Sequence, residues 1–221
     1  MRKYYLLNIT LLSLFLFSCS KKDIQLPLIE SDGISEIYNH SSIWLFFKED
    51  GKDTLATLNK NNKIINTHWI LNIDRRLPMK KVAPILLKMQ TLKNKPSMHS
   101  KGGTYLYYSF ANTKSNKISL FEFKPTNFVL TSNHIIDTIH KSPSIKINLQ
   151  KDHILINQTT TNLKQLKSIL EDYKNKDTLN NSKITLDYNG NISYQKYLQT
   201  KMLLSKINIA IDSTENIYSL K

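Results

Sequence analysis

The single thiol of the chain, Cys19, sits at the end of an apolar run, so its chemistry is that of a lone nucleophile and not of a disulfide or a multi-cysteine metal site. Six histidines are present: His40, His68, His99, His134, His140 and His153. None has the HExxH, HxH or Cys–His spacing that places two ligands on one metal. His134, His140 and nearby Asp137 read as surface. No G-x-S-x-G, Walker or G-x-G-x-x-G pattern occurs. The reading is therefore of no enzyme, no catalytic residue, no metal and no cofactor. Two groups of residues remain that could hold a ligand. In Asp74-Arg75-Arg76, Arg75 and Arg76 could fork onto a carboxylate or phosphate, or form an ion pair at a strand end. Tyr105, Tyr107 and Tyr108, with Trp44 and Trp69, could line a glycan-stacking face, although alternating aromatics on a sheet more often enter the core.

The chain has 221 residues and a net charge of +14. Three basic residues are Arg (Arg2, Arg75 and Arg76), and the lysines are scattered among Asn and Ile. That is a solvated basic surface rather than a base-reading one, and no nucleic-acid partner is expected. Arg2 and Lys3 precede a twelve-residue apolar stretch, Leu6 to Phe17, too short to span a bilayer of about 30 Å. It ends at Leu16-Phe17-Ser18-Cys19, which resembles the lipobox of bacterial lipoproteins; Phe17 is bulkier than the small residue usual at that place. The resemblance implies cleavage after residue 18 and acylation of Cys19, so that 1–18 is a signal peptide and the membrane is reached through acyl chains. Loss of 1–18 removes Arg2 and Lys3 and leaves +12. Ser20, in place of Asp, leans toward the outer membrane rather than the inner, on the periplasmic face. Residues 19–40, with Pro27 and Gly33, read as a lipid-anchored tether.

From Ser42 the pattern is β-like. Ile43–Phe47, Thr54–Leu58 and Ile64–Ile73 predict a three-strand meander with an Asp50-Gly51 turn. Met79, Val82, Ile85, Leu86 and Met89 predict a helix with Pro78 at its start and Pro84 kinking it. Residues 105–110 and 118–123 predict a hairpin, and 126–139 reads as extended. After Pro143 comes a hairpin, Ile145 to Ile156. A helix bearing Leu163, Leu166, Ile169, Leu170 and Tyr173 follows, boxed by Asn162 and Gln165. Then come a strand at 184–188, a helix capped by Ser193, a strand at Asn208–Ile211, and a tail.

That β-β-α-β-α-β order over Ser144–Tyr218, with the segment Ile192-Ser193-Tyr194-Gln195-Lys196-Tyr197-Leu198 opening the second helix, resembles the periplasmic domain of the ExbD/TolR family. The chain departs from that family by having a lipobox where the proton-carrying transmembrane helix would be, so energy transduction is not implied. Dimerisation and contact with cell-wall polymer or an envelope protein are. The expected fold class is α+β, with 41–140 an N-terminal α+β unit and 144–221 the ExbD/TolR-like unit. An offset of 84 residues, overlaying Met79–Leu86 on Leu163–Leu170, suggests that the first unit duplicates the second. The expected function is a non-enzymatic lipid-anchored binding or assembly module. The alternative is a glycan- or peptide-binding lipoprotein using Arg75, Arg76, Tyr105 and Tyr107.

Overall fold

The computed structural model describes residues 23–51, 53–59, 63–95, 103–131, 144–175, 183–207 and 209–218, a mixed α+β arrangement of three helices and two mixed sheets. The first sheet contains Leu28–Ile29 (β1), His40–Asp50 (β2), Asp53–Leu58 (β3), His68–Ile73 (β4), Leu106–Asn112 (β5) and Lys117–Glu122 (β6). The second contains Asn127–Thr131 (β7), Ser144–Leu149 (β8), Ile154–Ile156 (β9), Thr159–Thr161 (β10), Lys183–Asn189 (β11) and Ile211–Tyr218 (β12). The helices are Met79–Lys93 (α1), Leu163–Asn175 (α2) and Tyr194–Ser205 (α3). Residues 132–139, part of the stretch read as extended, lie outside the described residues, as do His99 and His140.

The hairpin β2–β3 closes at Gly51, whose φ of +57° suits the tight turn. The expected meander does not follow. β4 crosses to the far side of β2 and runs parallel to it. A central parallel strand is covered on both faces, and His-Trp-Ile-Leu-Asn-Ile is buried from Trp69 onward. The crossing is pinned by its own polar groups. The Trp69 indole and the Thr67 hydroxyl both donate to the Ile64 carbonyl, while Lys93 donates to the Ile65 and Thr67 carbonyls. Helix α1 starts at Met79 and runs through Pro84. Pro84 is exposed, so the Lys80 carbonyl that it leaves without a helical donor is on the wet side. The Asn162 carboxamide accepts from the Gln165 amide at 3.0 Å to start α2, and Ser193 accepts from Lys196 at 3.3 Å to start α3.

The last strand differs most from its sequence reading. It is Ile211–Tyr218, eight residues that read as a brief strand and a polar tail. Ile-Asp-Ser-Thr-Glu-Asn-Ile-Tyr does not alternate cleanly because Glu215 points inward, opposite Leu186 of β11.

The two sheets share a connectivity. In the first, a hairpin (β2–β3) is followed by a parallel strand beside β2 (β4), a helix (α1) and a parallel neighbour (β5). In the second, the hairpin β8–β9 is followed by β11, α3 and β12 in the same relations. The helix equivalent to α1 is therefore α3. The offset of 84 residues, which pairs α1 with α2, is overturned; apolar stripes overlay readily, whereas strand neighbours do not. The junction of the two halves repeats itself at an offset of 115. Met79 donates its backbone N–H to Ile192 O at 2.9 Å and Tyr194 donates to Leu77 O at 2.8 Å. Lys80 donates to Gly190 O at 2.8 Å and Gln195 to Arg75 O at 3.1 Å. Pro78 faces Ser193 in an antiparallel bridge. These reciprocal bonds are what a local two-fold axis between like segments requires. One continuous apolar core joins Ile43, Trp69, Leu86 and Phe110 to Ile147, Leu170, Leu186 and Leu198. Residues 127–131 of the expected N-terminal unit pair with β12 of the other sheet.

The expected tether also differs. From Asp23 the chain is laid onto the fold. Gln25 donates its N–H to Asp74 and accepts from the Arg75 N–H at 2.7 Å. β1 pairs with β5, and the Gln195 carboxamide of α3 clamps Leu28 by accepting from its N–H at 2.8 Å and donating to its carbonyl at 2.7 Å. Ile34 bridges Leu120, and Ile37 covers Ile70 and Tyr107. Free backbone groups at a sheet edge and an uncovered apolar patch are reason enough for the segment to bind.

Candidate functional site

Cys19 and the rest of residues 1–22 lie outside the described residues. No described helix is long and apolar enough to cross a membrane. No group of three His, Cys, Asp or Glu gathers among the described residues.

Asp74 follows β4 directly, and its side chain is fully buried. It accepts from the Arg76 N–H at 3.0 Å, Arg76 Nε at 2.9 Å and Nη2 at 2.7 Å, and from the Gln25 N–H at 3.1 Å. Burial raises its pKa, but the Arg76 guanidinium and the two backbone donors outweigh it and hold the carboxyl below its ordinary value. The guanidinium lies over the Phe47 ring at 4.3 Å, and Arg75 Nε donates to Gln25 Oε1 at 3.2 Å. Arg76 is thus ion-paired at the end of β4, as the alternative reading had it, whereas Arg75 is hydrogen-bonded to Gln25 and makes no ion pair among the described residues; both help to seat residues 23–37, a strap laid onto the first sheet.

Tyr105 and Tyr107 stand at the other end of the sheet, around His68 at the start of β4. His68 stacks on Tyr105 at 5.9 Å and meets Tyr107 edge-on at 5.8 Å. Tyr105 is half exposed, whereas Tyr107 is buried beneath Ile37. The six residues of β4 separate this cluster from Arg75 and Arg76 by roughly 20 Å at about 3.3 Å per residue. The four residues do not form one site, because parallel strands put the start and the end of β4 at opposite edges. Trp69 and Tyr108 alternate to the other face and enter the core.

The structure gathers a different group. A cavity of about 330 Å³ opens between β6, the connection at 123–126, the last turn of α3 and the start of β12. Tyr108, Phe121, Leu204, Ile209 and Ile211 supply apolar walls; Lys124, Thr126, Lys201, Ser205, Asp212 and Ser213 supply polar ones. Lys201 Nζ pairs with the Glu215 carboxylate, which is fully buried and also accepts from Tyr188 Oη at 2.8 Å. Tyr108, Tyr188, Tyr194 and Tyr197 pack together behind the pair, at ring separations of 6.0 Å for Tyr108–Tyr194 and 5.4 Å for Tyr188–Tyr197. Burial pushes all four phenols well above their ordinary value. The Tyr194 hydroxyl has no hydrogen-bond partner among the described residues. A buried ion pair adds little net stability, so its retention at a cavity wall marks a candidate site.

The sequence carried a signal for this site that composition hid. Tyr194, Tyr197, Leu198 and Lys201 fall on one helical stripe, with a lysine where the next apolar residue belongs. Glu215 and Ile217 share a strand face. A lysine and a glutamate, each on a core-facing position, could have been read as partners. No protein-family model, no curated protein and no solved structure matches this chain.

Proposed function

We propose that the protein is a lipid-anchored cell-envelope protein of the periplasmic face, acting as a non-enzymatic binding or assembly module. The observation that carries the reading is how soon after Cys19 the chain is fixed. Asp23 is four residues away, a span of at most about 14 Å, and Gln25 is already bonded to Asp74 and Arg75. Acyl chains on Cys19 would hold the folded body beside the leaflet and raise its effective concentration for membrane-borne partners. The β8–β12 order supports the resemblance to the ExbD/TolR periplasmic domain. The reciprocal bonds at Pro78 and Ser193 support two related units fused in one chain, in place of a homodimer. Ligand binding is assigned to the cavity beside Lys201 rather than to Arg75 and Arg76, which hold Gln25 and Asp74.

Metabolic labelling with palmitate, followed by envelope fractionation, tests the reading. Label is expected in the native chain and absent from Cys19→Ala; label that persists in Cys19→Ala overturns the anchor. A second reading, glycan stacking on the half-exposed Tyr105–His68 pair, predicts that Tyr105→Ala alone abolishes pull-down by purified cell wall.

A further inference from the structure

We infer that the cavity between β6, α3 and β12 binds a small zwitterion with an apolar side chain, in the chemical class of a hydrophobic amino acid or dipeptide. The inference rests on reading the protein as a binding module and does not depend on the anchor at Cys19. At about 330 Å³ the cavity falls at the lower end of the size range of small-molecule sites, about 300–1,000 Å³. Its apolar walls are built by Tyr108, Phe121 and Leu204, and they would take an aliphatic or aromatic side chain.

The charges decide the rest. Lys201 and Glu215 neutralise one another, which also fixes the lysine stem in place. An ammonium has three donors, and the bond to Glu215 uses one, so Lys201 still has donors for an incoming carboxylate. Lys124 and Asp212, both on the lining, remain as one positive and one negative charge. A simple anion would leave Asp212 unmatched and a simple cation would leave Lys124 unmatched. A zwitterion matches both, with its carboxylate toward the two lysines and its ammonium toward Asp212. Ser205 and Ser213 add hydroxyls at the exposed rim, and the Thr126 hydroxyl, which donates to the Lys124 carbonyl at 3.0 Å, lies deeper.

Isothermal titration of the full chain in detergent micelles, with four probes, tests this. L-leucine and leucyl-leucine carry both charges; 4-methylpentanoate lacks the ammonium and 3-methylbutylamine lacks the carboxylate. One or both zwitterions are expected to bind, with the single-charge probes at least about tenfold weaker. Ala210→Trp, at an exposed lining position, fills the mouth without touching the buried pair and is expected to abolish binding. Asp212→Asn is expected to bring the zwitterions down to the affinity of 4-methylpentanoate. Heat from none of the probes, equal affinity for 4-methylpentanoate, or zwitterion binding that survives Ala210→Trp in a protein with native circular dichroism would each overturn the site. Hydrolysis of leucyl-leucine, read by mass spectrometry of the cell contents, would overturn the non-enzymatic reading while upholding the pocket.

Discussion

Replacing Lys201 by Met should cost far more than an ordinary lysine substitution. The Lys201 side chain is only 14% exposed and that of its partner, Glu215, is fully buried. Without it the carboxylate keeps a single described donor, the Tyr188 hydroxyl at 2.8 Å, and faces a wall of tyrosines. Breaking a buried pair by removing one member costs roughly 3–5 kcal/mol, because the remaining charge is left uncompensated. With a urea slope of about 2 kcal/mol/M, that moves the midpoint down by roughly 1.5–2.5 M. The double variant Lys201→Met with Glu215→Leu removes both charges and should recover most of the loss, leaving a coupling of at least about 2 kcal/mol. Urea unfolding followed by far-ultraviolet circular dichroism on the four members of the cycle reads this directly. If Lys201→Met costs under about 1 kcal/mol and the cycle is additive, the pair is solvated and the charge argument for the cavity falls with it.

Three further perturbations probe other parts of the account. Asp74 has a lowered pKa, so the unfolded chain binds its proton more readily. Its contribution is fully present above about pH 3.9 and is lost as pH falls through the lower folded value. The urea midpoint gap between the native chain and Asp74→Asn should therefore be wide at pH 6 and shrink toward pH 2; a gap that does not change with pH contradicts the Arg76 pairing. The raised phenols predict that Tyr108, Tyr188, Tyr194 and Tyr197, four of the eleven tyrosines, stay un-ionised in an alkaline absorbance titration until the protein unfolds; the unfolded state gains as pH rises through about 10. All phenols titrating together at ordinary values would refute the cluster. A Cβ on Gly33 would lie 2.8 Å from Phe110 Cζ and 2.9 Å from the Leu120 carbonyl oxygen, so Gly33→Ala should destabilise by about 1–3 kcal/mol in a thermal melt. An unchanged melt would show that the strap is not packed on the first sheet.

What the sequence made legible was local. The Asn162–Gln165 box, the Ser193 cap and the stripe of α2 are set by neighbours within a few residues, and the described elements start where those signals stand. What it concealed depends on groups far apart in the chain. β4 reads as a meander strand because nothing in 59–67 states that the chain crosses β2; only burial of both faces of His68–Ile73 selects the parallel place. β12 reads as a tail because Glu215 breaks its alternation, and that residue makes sense only beside Lys201 and Tyr188. The strap reads as a tether because it begins with charged residues and contains Pro27 and Gly33. Yet its backbone finds partners in Asp74, Arg75, Ala111 and Leu120, each supplied by a later element. Arg75 and Arg76 read as ligand donors for the same reason, since the groups that occupy them lie at positions 25 and 47 as well as 74. The cavity itself is assembled from β5, β6, α3 and β12, and no one segment announces it.

Attachment of the folded body to a leaflet rests on an acylated residue only a few positions before the strap. Mass spectrometry of the mature protein extracted from membranes measures it. The prediction is an N-terminal peptide beginning at Cys19, heavier by a diacylglyceryl group and an amide-linked acyl chain. A mature chain that begins elsewhere, or at Cys19 with a free thiol and amine, would contradict it.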